Sequence, residues 1–205
     1  NGYARDTADA TITATMRLCV RTVAGGRDEV VRVGSGASAF WIDRHEASVF
    51  NAAGTRFGES SADYASTDGG LAPNGRWFSA TVATPRLQAV SRPGVVPSRF
   101  ITWFQANELC RASGKRMMML EEWFLASQGT DDPTTGNDGT ANARCNTSSS
   151  GPRATGLGAT GCVSAWGAQD MIGNVWEITG EWVMNAGAVR ALPTADDQTV
   201  EGYRV

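Results

Sequence analysis

The residues whose types and spacing bear chemistry lie in one run, Asp170-Met171-Ile172-Gly173-Asn174-Val175-Trp176-Glu177. Two carboxylates, a carboxamide and a glycine are threaded between large apolar side chains. Met171, Ile172, Val175 and Trp176 favour burial, whereas a lone carboxylate taken out of water costs several kcal/mol or neutralises. A hard cation resolves that conflict, because calcium takes carboxylate and carbonyl oxygens at about 2.3–2.6 Å. Asp170 and Glu177 can supply carboxylates, and Gly173 and Val175 carbonyls. Gly173 also permits a positive φ that aims carbonyls inward. The same spacing is open to a turn without metal, in which the acids pair with arginine or cap backbone N–H groups.

The remaining reactive residues are few. The cysteines are Cys19, Cys110, Cys145 and Cys162, and none sits in a C-x-x-C. A zinc or thioredoxin-type site is therefore not expected. Cys145 and Cys162 flank one Gly/Ser/Thr-rich stretch. A disulfide there would contribute roughly 3 kcal/mol by loop closure, and the sequence leaves its formation open. His45 is the single histidine, which removes Ser-His-Asp and multi-histidine metal mechanisms. Beside Asp43 and Glu46 it reads as an exposed, solvated side chain.

The elements that must position these groups can be taken in order. Residues 11–23 alternate, with Ile12, Ala14, Met16, Leu18 and Val20 on one face, as a half-buried strand does. A turn over Ala24–Asp28 and a return over Val30–Val33 make a hairpin. Ala39-Phe40-Trp41-Ile42 is a further short strand. Ser48 can cap a helix opening after it. Residues 54–97, rich in Gly, Ser, Ala and Pro, read as a long connection pinned by Phe57, Tyr64, Trp77 and Phe78. Thr102 and Gln105 have capping-box spacing, so a helix begins at Trp103. It carries Trp103, Ala106 and Cys110 on one stripe with Leu109 beside it, and Gly114 stops it. Cys110 reads as a buried small hydrophobe. A second helix is expected over 120–128, with Leu120, Trp123, Phe124 and Ser127 on one face, Glu121 and Glu122 in its first turn, and Gly129 at its end. Residues 130–161 are nearly devoid of large apolar side chains and read as a surface insertion; EF-hand spacing is absent.

Composition bounds the partners. A chain of 205 residues suffices for one domain with a substantial core. Its net charge of −3 predicts no nucleic-acid footprint. No apolar run approaches the roughly 20 residues of a membrane span. The N-terminus does not read as a signal peptide, and the compartment stays open.

The signature run resembles the DMxGNVWEW of the formylglycine-generating-enzyme (sulfatase-modifying factor) domain, a variant of the C-type lectin fold. Gly114-Lys115-Arg116-Met117 with Glu122-Trp123 resembles its G-K-R-L-P-T-E-x-E-W, although Met118-Met119-Leu120 stands for Pro-Thr-Glu. Phe40 to Ser48 resembles its F-x-I/M-D-x-x-E-V-T, where a strand gives way to the first helix. Ser164-Ala165-Trp166-Gly167, Glu177-Ile178-Thr179-Gly180-Glu181-Trp182 and Gly202-Tyr203-Arg204-Val205 resemble N-x-F/W-G, E-W-T-x-D-W and the terminal G-F-R-V. The resemblance implies an α+β, loop-rich C-type lectin fold of the formylglycine-generating-enzyme type, with two helices packed on small antiparallel sheets. One domain over 1–205 is expected, with 130–161 as an insertion and 183–201 as a candidate variable segment. It also implies a structural calcium at Asp170, Gly173, Val175 and Glu177. Asn146-Thr147 matches the opening of the family's second calcium site, but no aspartate follows before Cys162 and that site is not expected.

In the family, the oxidase uses a cysteine pair in the C-terminal third to bind copper, which suits soft thiolates. No cysteine follows Cys162, so neither copper nor enzyme activity is expected; one histidine cannot serve the iron of the related ergothioneine enzymes. The expectation is a non-enzymatic display protein similar to the variable proteins of diversity-generating retroelements, binding an unknown protein or surface ligand. Trp166, Trp182, Met184, Asn185 and Arg190 are the candidate ligand-binding residues, because aromatics and arginine carry binding hot spots. The alternatives are a formylglycine-generating oxidase and a metal-dependent carbohydrate binder. The second is weakened because the Asp170–Glu177 site reads as internally closed.

Overall fold

The structure, a computed structural model, describes residues 2–8, 16–59, 87–130, 145–147, 151–156 and 162–181. Two small antiparallel sheets and two helices make the α+β fold. The first sheet runs in order β1 (Ala4–Asp6), β2 (Leu18–Val23), β3 (Gly26–Val33) and β4 (Phe40–Asp43). The second has β5 (Ala47–Phe50) between β6 (Arg56–Phe57) and β7 (Gln88–Ser91). The helices are α1 (Trp103–Ala112) and α2 (Leu120–Ser127).

The β2–β3 hairpin forms where alternation predicted it, with a tighter turn. Val23 pairs with Gly26, so Ala24 and Gly25 alone reverse the chain and Asp28 lies inside β3. Pairing continues through Leu18 opposite Val31 and Val33 opposite Phe40. The expected helix start at Ser48 is instead strand β5: residues 47–50 pair with 88–91, and the Ser48 hydroxyl donates to Val96 O at 3.2 Å. The strand partner comes from the stretch read as a mere connection. Val49 and Phe50, β-branched and aromatic, favour the pleated backbone there.

Each helix docks on one sheet. Leu109 of α1 packs with Val49, Leu87 and Ala89. Ala126 of α2 packs with Leu18, Val31, Val33, Ala168 and Met171. Burying an aliphatic side chain of this size contributes about 1.5–3 kcal/mol. The buried stripe of α2 thus runs through Ala126, and Phe124, expected on the buried face, is 58% exposed. At the start of α1 both capping-box bonds form between Thr102 and Gln105, and Gly114 past its end has φ +69°.

The two sheets meet at a buried charge cluster. Asp28 accepts from Tyr3 Oη (2.6 Å), Arg21 Nε (2.8 Å), Lys115 Nζ (2.8 Å) and the Ser91 amide (2.8 Å). Lys115, the only lysine, also lies 2.7 Å from Asp43. Burial pushes Asp28 up, but the Lys115 charge and the donors around it hold the carboxyl below its ordinary value. Asp43 is pushed up, by burial first and then by Asp28 beside it.

Candidate functional site

The signature run leaves the second core cluster at Met171 and turns through three left-handed residues, Asp170 (φ 58°), Gly173 (φ 81°) and Asn174 (φ 64°). Gly173 is obligatory there, because a Cβ would meet the Asn146 carbonyl oxygen at 2.6 Å. Asn174 tolerates the left-handed region because its short amide bonds locally. Its Oδ1 accepts from Asn146 Nδ2 (3.0 Å) and the Arg153 amide (2.8 Å), and its Nδ2 donates to Glu46 and to Arg153 O (3.3 Å). Glu46 also accepts from the Val175 amide at 3.0 Å. These bonds stitch the β4–β5 connection and two loop segments onto the turn.

The two carboxylates expected to flank a cation have separate surroundings. Asp170 is buried; its oxygens lie 3.5 Å from Arg153 Nη2 and 3.3 Å from the Gly156 amide. Glu177 accepts from the Trp123 indole N–H. Burial, with Asp170 nearby, pushes the Glu177 carboxyl up to about 8. Burial raises Glu46 as well, and Glu177 and Asp170 add to it. Among the described residues, no three His, Cys, Asp or Glu side chains form a metal-holding group.

A cation here would therefore lean on backbone oxygens. No described group donates to the carbonyls of Gly173 or Val175. Those two oxygens and Glu177, a carboxylate without a basic partner among the described residues, fit a hard oxygen-ligated cation. Asp170 is drawn instead to Arg153 and Gly156, as the alternative reading of the sequence allowed.

A groove of about 570 Å³ opens over the turn, walled by Leu120, Trp123, Ile172 and Val175 with Glu177 and Trp176 in its lining. Trp176, expected in the core, is 89% exposed. The left-handed residues at 173 and 174 break the periodicity and turn its ring outward. Trp166 is half-buried against the second core cluster, with its indole N–H on Leu125 O at 2.8 Å. Its polar atom and most of its ring serve packing. Trp182, Met184, Asn185 and Arg190 lie outside the described residues.

Residues 34–205 match the model of the sulfatase-modifying factor enzyme 1-like domain. The chain belongs to that family. No curated protein and no solved structure matches it. The sulfatase-modifying-factor assignment agrees with the two-helix, small-sheet architecture. No helix among the described residues is long and apolar enough to cross a membrane.

Two features of this family member escaped sequence reasoning. His45 is buried, not solvated, and its Nε2 lies 3.4 Å from Glu29 Oε2. The groove-lining role of Trp176 was hidden because its apolar neighbours made it look like core. Cys145 and Cys162 form a disulfide, while Cys19 and Cys110 are free thiols on β2 and α1.

Proposed function

We propose that this sulfatase-modifying-factor-like domain is a non-enzymatic binding module, of the kind found in variable proteins of diversity-generating retroelements. The state of the cysteines carries the reading. Copper-dependent oxidation in the family needs paired soft thiolates. Here one pair of sulfurs is consumed in the Cys145–Cys162 disulfide. Burial pushes the Cys110 thiol up to about 11 and raises Cys19, so both favour the protonated form. Protonated thiols are poor ligands and poor nucleophiles. The groove beside the exposed Trp176 offers a surface for a partner, since aromatic side chains dominate binding energy at such patches.

Calcium serves the scaffold in this reading. Gly173 and Val175 would hold it by their carbonyls and Glu177 by its carboxylate. Bound there, the ion would supply the positive charge that no described residue gives the half-buried Glu177, and would fix the turn.

Incubation with copper, oxygen and a cysteine-containing sulfatase peptide tests the absence of oxidase chemistry. No aldehyde is expected; turnover would overturn the reading. Thermal melts with calcium and with chelator test the ion. Calcium should raise the Tm of the parent chain and leave Glu177→Gln unmoved. Flanking genomic DNA holding a reverse transcriptase and a near-copy template repeat would favour the variable-protein role; a flank lacking both would count against it.

A further inference from the structure

The signature turn is gripped by the two segments that carry Cys145 and Cys162. On one side the Asp170 amide donates to Cys162 O at 3.0 Å. On the other, the Asn174 amide donates to Asn146 O at 2.8 Å, and Asn146 Nδ2 donates to Asn174 Oδ1 at 3.0 Å. Gly173 is pressed onto the same Asn146 carbonyl. Asn146 is the neighbour of Cys145, so the disulfide joins the two grips directly, with Cα atoms 4.7 Å apart and both residues buried. Neither cysteine lies in a helix or a sheet strand; the nearest pairing is the isolated bridge Val163–Gln169. The sulfur–sulfur bond is the covalent tie that holds these loop segments across the turn.

We propose that the Cys145–Cys162 disulfide is a redox-controlled strap that assembles the groove and its turn only after the chain has been oxidised. In the reduced chain, the only covalent tether from Asn146 to Cys162 is the fifteen residues between them. Its grip on Gly173 and Asn174 then has to be maintained against loop entropy. Oxidation proceeds by thiol–disulfide exchange with a disulfide-bearing oxidant. The two thiols lose two protons and two electrons, the sulfurs join, and the oxidant leaves as its dithiol. Burial of both sulfurs makes the locked form slow to reverse. The inference rests on the groove being the binding site, but the strap itself needs no calcium.

Amide hydrogen exchange on the full chain tests it, comparing the oxidised protein with protein refolded under a dithiol and with a Cys145→Ala, Cys162→Ala double variant. The amides of Asp170 and Asn174 should exchange at least about tenfold faster without the disulfide, while α1 and the β2–β3 hairpin change by less than about twofold. Equal exchange at the turn overturns the proposal. So does a uniform rise everywhere, which would make the disulfide a global stabiliser. If the reduced chain does not refold, the double variant supplies the comparison. Calcium titration of both forms should show about tenfold weaker binding without the strap. If neither form binds calcium and the turn still loosens locally, the strap stands and the calcium reading falls.

Discussion

The Glu46 carboxylate accepts from the side chain of Asn174, 128 positions further along the chain, and from the backbone N–H that follows it. Asn174 spends all its remaining carboxamide capacity on Asn146 and Arg153. Replacing it with alanine removes four bonds and leaves the half-buried Glu46 carboxylate with only the Val175 amide of its two donors. Asn174→Ala is expected to lower stability by about 2–4 kcal/mol. Asn174→Gly should recover roughly 1 kcal/mol of that, because the left-handed backbone at φ 64° no longer carries a Cβ. Urea denaturation with unchanged m-values checks both. A loss below about 0.5 kcal/mol in either variant would show that the carboxamide does not clamp the turn.

Lys115 is held between Asp28 and Asp43, at 2.8 and 2.7 Å. The acids push its amine above the ordinary lysine value although burial alone would lower it. Breaking a buried pair from one side strands the other charge, at about 3–5 kcal/mol. Lys115→Met is expected to cost that much by chemical denaturation. Adding Asp43→Asn should return at least about 1 kcal/mol, because Arg21 still faces Asp28. Strictly additive losses in the double variant would mean that lysine and aspartate do not act as a unit.

What the sequence disclosed, and what it hid, follows from the range of the interactions. The start of α1 was legible because Thr102 and Gln105 satisfy each other's backbone within one turn. The β2–β3 hairpin was legible from alternation across a glycine turn. Ser48 misled because its capping tendency is local, whereas its strand partner Ser48↔Val90 comes from a Gly- and Pro-rich stretch with little pattern of its own. His45 could not be placed without Glu29, which its own neighbourhood in sequence does not contain. At the site, spacing located the turn and its two acids. It could not assign Asp170 to Arg153, because nothing in the intervening residues marks that pairing. Nor could it send Trp176 outward, since three left-handed residues in five positions defeat any periodic reading.

The cysteines divide into two chemical classes that mass spectrometry can count. Under denaturing, non-reducing alkylation, Cys19 and Cys110 should each take one label and Cys145 and Cys162 none; after reduction all four should react. In the native protein Cys110 should label slowly at neutral pH, because burial and then Asp43 hold its thiol up at about 11. Rapid native labelling of Cys110 would contradict its half-buried place on α1, and with it the argument that no soft thiolate is presented.

Acid should unfold the chain partly through Glu29. This carboxylate accepts from Arg27 Nε at 2.8 Å and Arg44 Nη1 at 2.9 Å, with His45 beside it. Burial alone would raise its pKa, but the contacts with His45 and Arg27 and the charge of Arg44 outweigh it and bring the group to about 2. In the unfolded chain the same group titrates near 4.5. Below that value the unfolded state binds more protons, so stability rises with pH across the window and falls as acid is added. Glu29's contribution is therefore fully present above pH 4.5 and is lost progressively as the pH drops through about 2. The shift corresponds to something on the order of 3 kcal/mol. Glu29→Gln should be less stable at pH 7, because the buried Arg44 guanidinium loses its anion. It should also show a shallower slope of stability between those two pH values. Urea midpoints across the window test this; parallel slopes for parent and variant would assign the acid sensitivity to other carboxylates.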